Sequence, residues 1–281
     1  GFGKYFSDHM FTLNYDADKG WHDPQVRPYA PLELDPASMC FHYAQEIFEG
    51  LKAYRGKDGS IYLFRPEDNI RRMNVSAERL CMPTLDVPLV MEGLKALLKT
   101  DADWIPRSAG SSLYIRPTMI ATEAALGVHA AKQYLFFIIV GPVGAYYPQG
   151  FSPTKIFVTK DYVRSVRGGV GACKAAGNYA ASLYAGKIAA DMGYTQVLWL
   201  DAVELKYVEE VGTSNIFFKI GDELITSPLS GSILPGITRD SVIKLAKSWG
   251  LQMSERRLSM DEIIEAQKKG TLMESFASGT A

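Results

Sequence analysis

The sequence predicts an α/β (α+β) chain built as two mixed halves, and three observations carry that reading. Segments of strand periodicity and segments of helical periodicity occur together in both halves. A stretch rich in glycine and proline, GPVGAYYPQGFSP at 141–153, lies between two apolar strands and is the best place for a domain boundary. With 47% apolar and 22% charged residues, 281 residues suffice for a substantial core. The expected division is a small N-terminal α/β domain over 1–142, a connecting loop over 143–153, and a larger C-terminal mixed-sheet domain over 154–281.

In the first half, FTLNY alternates as a strand does and DADKG has turn chemistry. FHYAQEIFEG reads as a short helical segment with His42, Gln45 and Glu49 on one face and Ile47 and Leu51 on another. It closes at Gly50, and LKAYR continues as a strand, turning through KDGS into SIYLFR. Pro66 opens a helix, where Glu67 and Asp68 suit the positive end. A second helix, VPLVMEGLKALLKTDADW, lines up Val90, Leu94, Leu97 and Leu98. SSLYIRPTMIAT and QYLFFIIV are strands. In the second half, strands are expected at IFVTK, QVLWLD, KYVEEVG, SNIFFKI and ELITSP. Helices are expected after Lys174, after Pro235 and within ERRLSMDEIIEAQKKG, where a further strand is also expected.

Composition narrows the partners. A net charge of -1 argues against broad nucleic-acid binding. Cys40, Cys81 and Cys173 are far apart and odd in number, which fits a reducing, cytoplasmic setting. His9, His22, His42 and His129 have no metal-site spacing, so no metal is expected. KQYLFFIIVG is too short to span a bilayer, and no membrane association is expected. The chain lacks an initial methionine and stops within SFASGTA, so trimming at both ends is expected.

Chemistry concentrates at GGVGACKAAGNYAASL. Lys174 stands there among Gly171, Ala172, Cys173, Ala175, Ala176 and Gly177, with nothing bulky or charged beside it. Crowding of this kind suits a partly desolvated amine that attacks a carbonyl, although a surface lysine after a glycine turn has the same local sequence. A pyridoxal phosphate enzyme needs such a lysine, a polar partner for the ring nitrogen and a phosphate cup. SILPGITRDSV offers the cup: Gly236 turns the chain, Ile237 and Thr238 begin a helix, and Thr213 and Arg72 are further candidates. An ordinary N-cap explains Thr238 equally well. In YVEEVGTSNIFF, alternation places Glu209 and Glu210 on opposite faces, so one points inward. An edge strand with both acids in water is the alternative.

Taken together, FGKYFSDHM, FEGLKAYRG, LFRPEDNIRRM, YIRPT, CKAAGNYAASL, YVEEVGTSN, ILPGITR and SFASGTA cover nearly the whole chain. In them the sequence resembles the branched-chain amino acid aminotransferases, in the fold-type-IV class of pyridoxal phosphate enzymes. That resemblance implies a two-domain fold with a pseudo-barrel C-terminal sheet and a homodimer. Lys174 matches the Schiff-base lysine, Arg72 the phosphate-binding arginine, Tyr179 the partner of the cofactor's phenolic oxygen, and Glu210 the ring-nitrogen acid. Ile237 and Thr238 match the phosphate-binding backbone, with Thr213 beside them. Thr280 and Ala281 match a turn that receives the substrate carboxylate. Phe2, Tyr43, Phe48, Tyr114 and Arg116 match the side-chain pocket, and Leu126 and Val128 a loop that reaches the neighbouring subunit's site. The implied reaction is a reversible ping-pong transfer of the amino group between L-leucine, L-isoleucine or L-valine and 2-oxoglutarate. A D-amino acid transaminase, an aminodeoxychorismate lyase or a non-enzymatic small-molecule binder are the alternatives. Two departures stand out: the family continues with further strand where this chain ends, and Ala277 stands where relatives often carry glycine.

Overall fold

The computed structural model describes residues 2–144 and 153–280. They fall into two compact units. The first takes 2–144 together with Cys173–Ala176, and the second takes 153–172 and 177–280.

The first unit contains β1 (His9–Asp16), β2 (Gly20–Pro28), α1 (Met39–Tyr43), β3 (Glu46–Phe48), β4 (Leu51–Arg55), β5 (Ile61–Leu63), α2 (Pro66–Arg79), α3 (Val87–Thr100), β6 (Ser112–Ala121) and β7 (Gln133–Val143). Its antiparallel sheet runs β2-β1-β7-β6-β4-β5, and β3 pairs with β6. Strand pleating sends Phe11 and Leu13, Phe136, Ile138 and Val140, and Leu113, Ile115 and Met119 into one core. Two helices cover that core, Ile70, Met73 and Ala77 from α2 and Val90, Leu94, Leu97 and Leu98 from α3. Both helices start as their sequences dictate. Pro66 stands in the first turn of α2 ahead of Glu67 and Asp68, and the Asp86 side chain caps α3 by accepting from the Leu89 N–H.

The second unit contains β8 (Ile156–Val158), α4 (Ala176–Asp191), β9 (Gln196–Leu200), β10 (Val208–Val211), β11 (Ser214–Ile220), β12 (Glu223–Thr226), α5 (Ile237–Ser248), β13 (Gln252–Glu255), α6 (Met260–Lys268) and β14 (Leu272–Ser278). Its sheet is mixed, in the order β13-β12-β11-β10-β9-β8 with β14 on β11. The β8–β9 and β12–β13 pairs are parallel and the others antiparallel. Both faces are covered, which explains the unbroken apolar runs of QVLWL and NIFF. Leu198, Leu200, Ile216 and Phe218 pack with Leu258 and Ile263, while Val197 and Trp199 meet Ala185 and Ala189 of α4. Among the described residues no helix is long and apolar enough to cross a membrane.

One expectation is corrected. FHYAQEIFEG is not one helix: Ala44 adopts φ 49° and ends α1, and the next residues pair with β6 as β3. Pairing with an existing sheet overrides a weak helical pattern, and the shared face of His42, Gln45 and Glu49 disappears with the helix.

Candidate active site

In the first unit, the expected residues form a continuous chain of contacts. The Phe2 ring meets Tyr114 edge-on at 4.8 Å. The Tyr114 hydroxyl accepts from Arg116 Nη2 at 2.8 Å, and the Arg116 guanidinium lies 4.4 Å from the Phe48 ring centroid. Lys174 Nζ stands over the same ring, also at 4.4 Å. Tyr114 fits because its neighbour has no side chain: a Cβ on Gly50 would collide with the Tyr114 hydroxyl. Burial pushes the nearby Glu46 carboxyl above its ordinary value, which the Arg116 charge partly offsets.

The lysine seat is made by backbone pairing. Ile47 forms a bridge with Ala175, and the Lys174 carbonyl accepts from the Phe48 N–H at 3.1 Å. The Lys174 N–H donates to Ser76 Oγ at 3.0 Å, and Ser76 Oγ donates to the Arg72 carbonyl at 3.3 Å. Arg72 and Ser76 are four apart on α2, so one helix face serves both the lysine and the arginine. Arg72 itself grips the buried Glu49 through two hydrogen bonds, Nε to Oε1 at 2.7 Å and Nη2 to Oε2 at 2.8 Å.

The second unit holds Glu210, only 2% exposed, facing Arg164 across an ion pair of 2.8 Å. Asn215 Nδ2 donates both to Glu210 Oε1 at 3.1 Å and to the Leu234 carbonyl at 3.0 Å. Asn215 therefore ties the acid to the loop that leads into α5. That helix begins at Ile237 and Thr238, with Gly236 as N-cap, so the residue at that position brings no capping side chain. A Cβ on Gly236 would collide with Asn215 Oδ1. Arg164 is seated by the carbonyls of Ser232 and Gly171, at 3.0 and 3.3 Å from Nη1. Glu209, at a register shift in β10, is half-buried and accepts from Ser232 Oγ at 2.5 Å. Tyr179 is half-buried in the first turn of α4, next to Asn178, whose Nδ2 donates to the Val170 carbonyl. Thr213 is exposed in the turn between β10 and β11.

Some expected residues stand apart. The Tyr43 hydroxyl donates to the Leu126 carbonyl, which joins Tyr43 to the loop of Leu126 and Val128. Leu126 and Val128 are 66% and 82% exposed. Thr280 is half-buried after β14, and Ala281 lies outside the described residues. Sequence reasoning missed Glu49, Ser76, Arg164 and Asn215. Asn215 had a signal, a polar residue at an inward strand position; Arg164 lies in a stretch without periodicity and had none.

Each unit offers groups that suit pyridoxal phosphate. Glu210 is a buried carboxylate with its own cation, as a pyridinium partner must be in a dry site. The start of α5 is a helix N-terminus kept narrow by glycine, suited to an anion. Lys174 rests on an aromatic ring. Among the described residues no group of three or more His, Cys, Asp or Glu could hold a metal ion.

Comparison with known proteins agrees with this chemistry. The family model for amino-transferase class IV matches residues 46–269. The branched-chain-amino-acid aminotransferase 2 of Bacillus subtilis (strain 168) is 56% identical over 280 residues, spanning 100% of this chain and 77% of that protein. Among solved structures, the branched-chain amino acid aminotransferase from Escherichia coli aligns with a TM-score of 0.76 at 26% identity, covering 98% of this chain and 83% of that one. The branched-chain amino acid aminotransferase from Thermobaculum terrenum, solved in its PLP-form, shares the fold with a TM-score of 0.78 at 24% identity, covering 99% and 83%. A lysine on an aromatic ring, a paired buried glutamate and a glycine-led helix start thus occur in a chain that belongs to the class IV aminotransferases and, within them, to the branched-chain amino acid aminotransferases.

Proposed function

We propose that this aminotransferase works through Lys174 as the residue that carries the cofactor and moves the substrate proton. The observation that carries the proposal is the lysine seat, in which contacts to Ile47, Phe48 and Ser76 fix the main chain at 174–175 and Lys174 Nζ stands over the Phe48 ring. When bound, pyridoxal 5'-phosphate supplies an aldehyde for that amine and a pyridine ring that takes up the electron pair of the substrate α-carbon. The Lys174 amine would remove the substrate α-proton as a base and return it as an acid. Glu210, paired with Arg164, would meet the ring nitrogen and hold a proton there, which would strengthen the electron sink. Arg72, Thr213 and the backbone of Ile237 and Thr238 would hold the phosphate, and Tyr179 would meet the phenolic oxygen.

The substrate pair suits the side chains assigned to the pocket. Phe2, Phe48 and Tyr114 present rings to a Leu, Ile or Val side chain, whose full burial is worth ~1.5–3 kcal/mol. Arg116, with the Tyr114 hydroxyl, meets the side-chain carboxylate of 2-oxoglutarate or glutamate. Thr280 and Ala281 receive the α-carboxylate. The protein is a cytoplasmic homodimer in which the Leu126–Val128 loop, with Tyr43 tethered to it, serves the partner's pocket.

Borohydride added with pyridoxal 5'-phosphate should trap the cofactor on the peptide containing Lys174, read by mass spectrometry. Lys174→Ala should lose both the trapped mass and transamination of L-leucine with 2-oxoglutarate. Turnover by that variant without added amine would defeat the assignment, and parallel double-reciprocal plots should report the ping-pong order.

A further inference from the structure

We propose that Glu49 is a positioning residue for the phosphate, acting through Arg72. The inference rests on the reading that Arg72 meets the cofactor's phosphate. The Glu49 side chain is 0% exposed, and both its oxygens are committed to α2. Oε1 takes Arg72 Nε at 2.7 Å, while Oε2 takes Arg72 Nη2 at 2.8 Å and Asn69 Nδ2 at 2.9 Å. Arg72 and Asn69 are three apart on one helix face. The Glu49 backbone is fixed in turn, since its N–H donates to the Pro117 carbonyl of β6 at 2.8 Å. A two-bond contact of this type fixes the plane of a guanidinium as well as its position.

A buried ion pair is a poor device for stability alone, because well-packed apolar residues replace such pairs at little or no cost. It is a good device for holding a flexible arginine in one rotamer. The arrangement also couples the two chemical groups of this unit. Residue 48 binds the Lys174 backbone and residue 49 binds Arg72, so a single extended segment sets the lysine and the cation together.

Electrostatics and positioning predict opposite signs, which makes the inference testable. Glu49→Gln removes a negative charge beside Arg72, and charge alone would make phosphate bind more tightly. If Glu49 positions Arg72, phosphate binds less tightly. The experiment titrates the cofactor-free protein with pyridoxal 5'-phosphate and, separately, with pyridoxal, by fluorescence quenching. The readout is the preference for the phosphorylated form.

Arg72→Ala should cut that preference by roughly tenfold or more, and Glu49→Gln by several-fold, with pyridoxal affinity little changed. The double variant should be no worse than Arg72→Ala alone, because Glu49 acts through Arg72. If Arg72→Ala lowers the preference and Glu49→Gln leaves it unchanged, raises it, or weakens both ligands alike, the positioning role is overturned. If Arg72→Ala has no effect on the preference, the phosphate reading itself is wrong. Should thermal melts show Glu49→Gln unfolded, Glu49→Asp keeps the charge and draws the carboxylate back by one methylene. It should lower the preference in the same way, and the same results would overturn the positioning role.

Discussion

Buried charged side chains such as Arg72 with Glu49 and Arg164 with Glu210 stand in pairs, and such pairing has a measurable consequence. Arg164 and Glu210 have side chains 9% and 3% exposed. Removing one partner strands a charge in a dry place, so Arg164→Met should destabilise the fold by about 3–5 kcal/mol in urea unfolding. Adding Glu210→Gln to that variant should recover much of the loss; no recovery would mean that Arg164 acts through its carbonyl contacts with Gly171 and Ser232 instead. Glu209 offers a test in pH. Burial pushes its carboxyl above the ordinary value of 4.5, against the opposing Ser232 hydrogen bond. The folded state therefore favours the protonated form. Its contribution is fully present below about pH 4.5 and is lost as pH rises through the raised value. Glu209→Gln is neutral throughout, so thermal midpoints should move in the variant's favour, relative to the parent, as pH climbs from 4.5. A difference that is flat with pH would rule out a raised carboxyl at this position.

Elements differ in how far the sequence disclosed them, and the reason is where their stabilising contacts come from. Helices α2, α3 and α5 carry their own start signals and apolar faces, so Pro66, Val90 and Gly236 announced them locally. Strand β3 has three residues and exists because β6 and Ala175 pair with it, information held some 70 and 130 residues away. Lys174 and the Glu209–Glu210 pair stood out because each puts charge in an apolar or small-residue setting, and only the family resemblance chose Glu210. Their partners did not stand out: Glu49 sits in an ordinary-looking FEG, and Arg164 in a loop between β8 and α4. The start of α5 depends on one such hidden neighbour. Gly236→Ala would drive a methyl group into Asn215 Oδ1, with Arg239 Cβ at 3.2 Å on another side. Asn215 also holds Glu210 and the Leu234 carbonyl, so it cannot swing aside without loosening both. Overpacking of this kind costs about 1–3 kcal/mol, and titration of the Gly236→Ala variant should show weaker binding of pyridoxal 5'-phosphate. Unchanged binding would mean that the narrow start of α5 is not the phosphate seat.

At the scale of the whole chain, the proposed roles are divided between two units, each with its own core. Lys174 and Arg72 belong to the first unit, and Glu210, Ile237 and Thr238 to the second. A ligand that binds only the folded form stabilises whatever must be folded to hold it, by about 2.7 kcal/mol at a hundredfold excess over Kd. This gives a test that needs no turnover. Leu94 and Ile225 are fully buried, one in each unit, and Leu94→Ala and Ile225→Ala should each cost ~2–5 kcal/mol through the cavity they leave. Each variant weakens one unit and leaves the other's core intact. If residues of both units grip the cofactor, unfolding of either unit releases it. Saturating pyridoxal 5'-phosphate should then raise the calorimetric midpoint of both variants by similar amounts. A cofactor shift in Leu94→Ala with none in Ile225→Ala would assign binding to the first unit alone. That result would remove Glu210 and the start of α5 from the site, leaving the lysine without an electron sink and the proposed division of labour without support.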